Sequence, residues 1–192
     1  MLGEDFSIVA QGYGCGKEGI ISGRYMDKKV DVIVYHGEEV AAGIEVKFIM
    51  QNYSQNSNNY FESMLGETAN IRSEGYPLFQ VVIILDRLPY YDRAGKVKKW
   101  ETFTDANVKK YISLSEDKPA KYFHTPDKTL IYIVHIPECG AVQDRNSYME
   151  HYRHTFTPVT VSGNDYGGFG SSVILNDYVS FMWKVYHTIM AQ

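Results

Sequence analysis

Residues 30–50, VDVIVYHGEEVAAGIEVKFIM, decide the fold of this chain. They contain two segments rich in β-branched residues, VDVIVY at 30–35 and VAAGIEVKFIM at 40–50, and each segment predicts a strand. The HGEE sequence between them is a turn signal. The stretch therefore predicts a β-hairpin.

The loop of this hairpin sets its register. A three-residue loop at 37–39 pairs His36 with Val40. The same register places Asp31 opposite Glu45, with Cβ atoms about 4.5–5.5 Å apart. Two carboxylates at that distance repel each other unless a proton or a cation lies between them.

Downstream of the hairpin, helix and strand patterns alternate. The predicted elements are a helix within 59–75 that Asn59 caps, a buried strand at 79–85, a helix at 104–114, a buried strand at 130–136, and a helix that begins after Asn176 or Asp177. The order hairpin, helix, strand, helix, strand, helix predicts an α/β fold with a central mixed sheet flanked by helices. We find no repeat or linker and expect a single domain over residues 1–192.

Composition excludes several classes of protein. Hydrophobic residues make up 44% and charged residues 22% of the chain, which is ordinary for globular proteins and unlike disordered, collagen-like or coiled-coil chains. No apolar run approaches the roughly 20 residues of a membrane helix. The first residues lack the pattern of a secretory signal. Two cysteines, Cys15 and Cys139, argue against a disulfide framework, so we expect a cytoplasmic protein.

The charge pattern leaves local nucleic-acid binding open. The net charge of −4 argues against a protein that coats nucleic acid through bulk positive charge. Basic residues nevertheless cluster at 28–29, 96–99, 109–110 and 145–153. The sixteen tyrosines suit stacking at a nucleic-acid or protein surface, and they equally suit the half-buried edge of a core.

Asp31, Glu45 and Lys47 carry the chemistry of the hairpin, and two interpretations are open. Side chains alternate along a strand, so Glu45 and Lys47 share one face. In one interpretation the three residues are ordinary charges on a solvent-exposed face. In the other, they lie beside a central strand that is covered on both faces, where carboxylates are costly without a cation.

These residues and their order resemble the core of the PD-(D/E)XK nuclease superfamily, which includes many type II restriction endonucleases. The resemblance consists of Asp31, then GIEVKF with Glu45 and Lys47, then a helix and a buried strand, over residues 30–85. The next stretch of the chain, QNYSQNSNNYFESMLGETANIRSEGYP, also resembles the segment after the motif in some restriction endonucleases. Val30 stands where the motif's name has proline.

The resemblance implies a restriction-endonuclease-like core, which runs helix, three-stranded meander, crossover helix, strand. Few residues precede the first predicted strand, so we expect part of the usual N-terminal region, including its first helix, to be short or missing. If substrate-reading elements are missing as well, the protein can be inactive even though its catalytic core is intact.

The resemblance also assigns roles. Asp31 and Glu45 would hold Mg²⁺, with Mn²⁺ as a substitute and the backbone carbonyl of Val46 as a further ligand. Lys47 would orient the attacking water, help to deprotonate it and offset charge on the phosphorus. Glu18 is the candidate for the additional upstream acid of the superfamily. The alternative for Glu18 is a solvated loop residue.

An amide-rich run comes after the second strand, and we interpret it as a candidate DNA-facing loop. Asn and Gln side chains can bind adenine edges or phosphates. The alternative is a polar loop that caps the next helix. The residues concerned are Gln51, Asn52, Gln55, Asn58 and Asn59.

The leading hypothesis is a Mg²⁺-dependent endodeoxyribonuclease of the type II restriction class that acts on double-stranded DNA. Cutting both strands with one site per chain favours a homodimer. Two alternatives remain. One is a nuclease-fold protein that does not cut and serves as a DNA-binding or interaction module, and the other is a repair, junction-resolving or phage-defence nuclease of the same superfamily.

Overall fold

The computed structural model describes residues 2–13, 16–103, 105–137, 142–155, 160–161 and 168–192. The elements in chain order are β1 (Phe6–Ala10), β2 (Gly19–Ser22), β3 (Asp27–Val30), β4 (Val32–His36), β5 (Glu39–Ile49), α1 (Tyr53–Arg72), β6 (Leu78–Leu85), β7 (Arg87–Tyr91), β8 (Val97–Thr102), α2 (Asp105–Glu116), β9 (Lys128–His135), α3 (Arg145–Thr155), β10 (Thr160–Val161), β11 (Val173–Leu175) and α4 (Tyr178–Met190).

A mixed sheet forms the centre of the fold. In the described part of the chain it has seven strands, six of them in the order β1-β4-β5-β6-β9-β10, with β11 also paired to β9. The strands β1, β4 and β5 are antiparallel neighbours, whereas β5, β6 and β9 run parallel. The long helix α1 connects the parallel pair β5 and β6. The predicted α/β fold with a central mixed sheet and flanking helices is confirmed.

Both faces of the sheet are covered, which explains the apolar runs of β6 and β9. On one face, α1 and α2 pack through Met64 and Tyr111 against Val82 and Ile133. On the other face, α4 packs against the sheet through three buried side chains, Phe181, Val185 and Ile189. Strands buried on both faces have near-continuous hydrophobic sequences, because neither face can be polar without a partner.

The hairpin β4–β5 forms as predicted, but its turn is one residue shorter. His36 pairs with Glu39 rather than with Val40, and Gly37 has a φ of 61°, as the first central residue of a type II′ turn requires. The register then shifts at an irregularity after Val34. Beyond it, the last pair is Val32 with Ile44, which is the register that the sequence predicted for this end of the hairpin.

Other boundaries correct the sequence prediction. The predicted strand at 30–35 is divided at Asp31, which separates β3, in a small hairpin with β2, from β4 in the main sheet. Strand β1 and the hairpins β2–β3 and β7–β8 were not predicted. Among the described residues that precede α1 there is no helix.

Helix α1 also begins earlier than predicted, at Tyr53 with Asn52 as N-cap instead of Asn59. The reason is tertiary. Tyr53 is 2% exposed in the core, and the side-chain oxygen of Asn52 accepts a hydrogen bond from the Tyr91 N–H at 2.8 Å. Neither contact is visible in local sequence.

No helix in the described ranges combines the length and the apolar character needed to cross a membrane.

Candidate metal centre

Asp31 lies where β5 runs beyond its antiparallel partner. The ladder between β4 and β5 ends at Val32 and Ile44. One residue further, the Asp31 carboxylate takes the place of a strand partner, because its Oδ2 accepts a hydrogen bond from the Val46 N–H at 2.6 Å. The side chain of Asp31 is therefore fixed beside the peptide that joins Glu45 to Val46.

The carbonyl of Val46 faces the same side as its N–H group. In an extended strand, the N–H and C=O of one residue point to the same neighbour. The N–H of Gly43 donates a hydrogen bond to the Pro77 carbonyl, on the β6 side. Backbone groups of alternate residues point to opposite sides of a strand, so those of Val46 point to the β4 side. The carbonyl predicted as a metal ligand is thus directed toward the edge that Asp31 occupies.

Glu45 is a buried carboxylate without a complete set of partners. Its side chain is 4% exposed, and among the described residues its Oε1 has no hydrogen-bond partner. Burial raises the pKa of Glu45 to about 7, and the carboxylates of Glu67 and Asp31 contribute to the rise, while Lys28 and Lys47 oppose it. A bound cation would stabilise the ionised form of this buried carboxylate.

A second pair of charges, Lys28 and Glu67, lies beside this carboxylate. The Lys28 ammonium on β3 contacts Glu67 Oε1 on α1 at 2.6 Å. Burial lowers the pKa of Lys28, but the hydrogen bond and charge of Glu67, together with the charges of Glu45 and Asp31, outweigh it and raise that pKa overall. The other oxygen of Glu67, Oε2, is buried and has no partner among the described residues.

The structure therefore brings five charged side chains together. We define the polar cluster as Lys28, Asp31, Glu45, Lys47 and Glu67. Glu45 and Lys47 share the α1-facing side of β5, as alternation along a strand requires. In this arrangement Glu67, rather than Glu18, is the third carboxylate beside Glu45. Glu18 is exposed and lies one residue before β2.

The hairpin β2–β3 holds Lys28 against α1 through Asn70. The Asn70 side chain is buried, accepts a hydrogen bond from the Tyr25 N–H at 2.8 Å and donates one to the Met26 carbonyl at 2.9 Å. Gly23 permits this approach, because a Cβ at that position would lie 2.1 Å from Asn70 Nδ2. The turn of the hairpin is thus tied to the helix that carries Glu67.

A row of buried polar side chains extends from Glu45 across the sheet. Gln80 is the register neighbour of Glu45 on β6, and Thr129 is the register neighbour of Gln80 on β9. Both are at most 1% exposed, and neither amide atom of Gln80 nor the hydroxyl of Thr129 has a partner in the described part of the chain. Thr68 of α1 is buried as well, and its hydroxyl has no partner among the residues that the structure describes.

The predicted DNA-facing loop is wrong as a loop, because most of the amide run lies in α1. Gln51 precedes the helix, and Asn52 occupies the N-cap position with a φ of 50° and no side-chain capping hydrogen bond. Gln55 accepts a hydrogen bond from the Tyr90 hydroxyl at 3.2 Å, and Asn58 accepts one from Lys110 at 3.3 Å. Asn59 is an exposed helical residue rather than the predicted cap.

Sequence reasoning missed Gln80 and gave Lys28 no role in the site. A signal for Gln80 existed, since it is the one polar residue within LFQVVIIL, a strand whose other residues are apolar. Lys28 is three residues before Asp31, but nothing local indicated that β3 would fold back onto α1.

The donor set fits a magnesium ion better than a transition metal. Among the described residues, no group of three His, Cys, Asp or Glu side chains could by itself hold a metal ion. Mg²⁺ is commonly held by one or two carboxylates and keeps several waters or substrate phosphate oxygens. Asp31, the Oε1 of Glu45, which has no partner in the described ranges, and the carbonyl of Val46 provide such an incomplete, all-oxygen set.

The chain matches no protein-family model, no curated protein and no solved structure. Its function is therefore inferred from the geometry of the polar cluster.

Proposed function

We propose that this protein is a Mg²⁺-dependent endodeoxyribonuclease that acts as a type II restriction endonuclease. The observation that carries the proposal is the buried, incompletely partnered carboxylate of Glu45 beside Asp31 and Lys47. A buried carboxylate in such a place is costly for folding, and binding sites are where such costs are retained. Asp31, Glu45 and the Val46 carbonyl would hold the cation, which supplies charge stabilisation and Lewis acidity when bound.

The protein side chains have separable roles in this scheme. The hydrogen bond from the Val46 N–H holds Asp31 Oδ2 in place. It thereby also fixes the orientation of the other carboxylate oxygen. Lys47 would orient the attacking water and offset charge that develops on the phosphorus, in an enclosure where such charges act strongly. Lys28 neutralises part of Glu67 and thereby limits repulsion among three carboxylates.

The order of elements supports the same proposal. The antiparallel strands β1, β4 and β5 are followed by the crossover helix α1 and then by β6 parallel to β5. This is the order meander, helix, strand that the resemblance to the PD-(D/E)XK superfamily implies. The small hairpin β2–β3 is inserted between the first two strands. Two copies of the chain around a two-fold axis would place one site on each strand of a DNA duplex.

The direct test is cleavage of supercoiled plasmid in Mg²⁺, in Mn²⁺ and in EDTA. We expect cleavage by the wild type in either metal, none in EDTA, and none by Glu45→Gln. The matched control is Glu39→Gln, which alters an exposed glutamate on the same strand and should cut normally.

The products discriminate among the hypotheses. Discrete fragments indicate a sequence-specific restriction enzyme, and a smear indicates a general nuclease. Binding of DNA without cutting in either metal would contradict the proposal and favour an inactive nuclease-fold module.

A further inference from the structure

A cleft of mixed aromatic and polar chemistry lies at the carboxyl end of β5. Its volume is about 270 Å³, and its lining combines three aromatic rings, two thioethers, a guanidinium and a carboxamide. The lining residues are Phe48, Met50, Gln51, Tyr60, Arg145, Tyr148 and Met149. Phe48 and Met149 are 39% and 38% exposed, so a ligand in the cleft can contact both side chains.

The polar atoms of the lining are only partly used within the protein. Tyr148 is 4% exposed, yet its hydroxyl has no hydrogen-bond partner among the residues that the structure describes. A buried tyrosine hydroxyl usually has one. Arg145 is exposed at the start of α3, and its guanidinium lies 5.5 Å from the centre of the Tyr91 ring. The guanidinium of Arg145 and the carboxamide of Gln51 thus accompany the aromatic surfaces.

We propose that this cleft binds one unpaired nucleobase of the nucleic-acid substrate. Aromatic side chains stack on bases of any sequence, and a Gln side chain can hydrogen-bond an exposed base edge. A guanidinium nearby can stack on the base or pair with a phosphate. An aliphatic ligand would use neither the rings nor the carboxamide in this way.

The position of the cleft fits a base close to the bond that is cut. Phe48 is three residues beyond Glu45, so at about 3.3 Å per residue the two Cα atoms are roughly 10 Å apart along β5, and their side chains leave opposite faces of the strand. The cleft extends to the α1-facing side, where Glu45 and Lys47 lie, through Tyr60 of α1. In stacked DNA this Cα separation corresponds to about three nucleotides of one strand. Extruding a base from a duplex is costly, so the site favours DNA in which a base near the cut is already unpaired.

This inference rests on the proposed function, from which it takes DNA as the ligand. A separate measurement tests it. The probe is a short duplex with one unpaired 2-aminopurine, whose fluorescence falls when it stacks on an aromatic ring. Binding is measured in Ca²⁺ by anisotropy and fluorescence, against the fully paired duplex of the same sequence. The variants are Phe48→Leu and Tyr60→Leu, and the control is Phe123→Leu, which alters an exposed phenylalanine outside the cleft.

We expect the wild type and the control to bind the unpaired probe more tightly than the paired duplex and to quench it. Each cleft variant should bind the unpaired probe about tenfold more weakly, with affinity for the paired duplex unchanged. That result supports binding of an unpaired base in the cleft, even if neither the wild type nor any variant cuts plasmid. Equal binding of both duplexes by the wild type, or wild-type quenching by both variants, overturns it, even if cleavage requires Glu45.

Discussion

At the scale of single residues, Glu45 dominates the energetics of the site. It is buried beside two carboxylates, and two lysines only partly compensate for this. Removing an ionised group from water is costly unless hydrogen bonds or opposite charges replace the water. A bound cation would offset this cost, because its charge would cancel the repulsion between Glu45 and the neighbouring carboxylates. Two consequences for stability and one for catalysis can be measured.

The first concerns the pH dependence of folding. Because the pKa of Glu45 is raised to about 7 in the fold from an ordinary value of 4.5, the folded protein binds more protons than the unfolded chain between these values. Metal-free protein should therefore lose up to about 3 kcal/mol of unfolding free energy as the pH rises from 4.5 to 7. Urea unfolding in EDTA measures this change. Glu45→Gln should lack the decline, and an equal decline in that variant would assign it to another group.

The second concerns catalysis by Lys47. In the proposed function the ammonium would act where charge develops in the transition state, so Lys47→Ala should reduce the cleavage rate about 100- to 1,000-fold. DNA affinity in Ca²⁺ should change little, since it depends on many phosphate contacts. Lys47→Arg should not restore the rate, because a planar guanidinium differs in shape and hydration.

Cleavage assays paired with gel-shift binding distinguish these effects. Lys29→Ala is the matched control, since Lys29 is an exposed lysine on the neighbouring strand β3. Wild-type cleavage by Lys47→Ala would make Lys47 an ordinary surface charge.

The third concerns Gln80, whose buried amide has no partner in the described part of the chain. Gln80→Met keeps the volume and removes both unsatisfied atoms, so it should raise the free energy of unfolding by about 1–3 kcal/mol. Cleavage should weaken at the same time if the amide supports Glu45, its register neighbour. Denaturant unfolding and plasmid cleavage measure the two effects. A less stable variant would show that the amide is satisfied, for instance by buried water.

At the scale of elements, the hairpin β2–β3 positions the polar cluster. It connects directly to β4 through Asp31, and its turn is bound to α1 by Asn70. Movement of this hairpin would displace Lys28 from Glu67 and release Asp31 from the Val46 N–H. The anchor is therefore expected to affect both stability and activity.

Asn70→Ala tests the anchor. It leaves the N–H of Tyr25 and the carbonyl of Met26 without their partner and should lower the free energy of unfolding by about 2 kcal/mol. Thermal unfolding monitored by circular dichroism measures the loss. Asn59→Ala, an exposed position on the same helix, is the control and should change stability by less than about 0.5 kcal/mol. Equal effects of the two substitutions would contradict an anchoring role.

Much of the core architecture was predictable because its elements have strong local patterns. Apolar periodicity predicts the strands β5, β6 and β9 and the helix α4, and Asp177 caps α4 as expected. The turn of β4–β5 was predicted one residue too long, and the irregularity after Val34 restores the register that brings Asp31 beside Glu45. A bulge of this kind has no reliable signature in a single sequence.

The features that the sequence did not reveal depend on contacts between distant segments. Helix α1 begins at Tyr53 because β7 and the core stabilise its first turn, and that turn has a sequence of modest helix propensity. Lys28 reaches the polar cluster only because β3 folds onto α1. Both facts require the tertiary structure.

At the scale of the whole molecule, the fold gathers its polar groups where strands of unequal length meet. Strand β5 continues past the end of β4, and the exposed edge that results carries Asp31 and Val46 on one side and leads to the aromatic cleft at Phe48. The helices on the two faces exclude water from the rest of the sheet. In the proposed function, metal and nucleic acid meet at this edge.

Titration calorimetry with Mn²⁺ is the most direct test of the metal centre. The proteins are the wild type, Asp31→Asn, which keeps an acceptor for the Val46 N–H, and the control Asp27→Asn, which alters an exposed carboxylate on β3. We predict that the wild type and the control bind Mn²⁺ with equal affinity and that Asp31→Asn binds at least about tenfold more weakly. Equal affinity in all three proteins, or no binding by the wild type, would contradict the proposed metal centre.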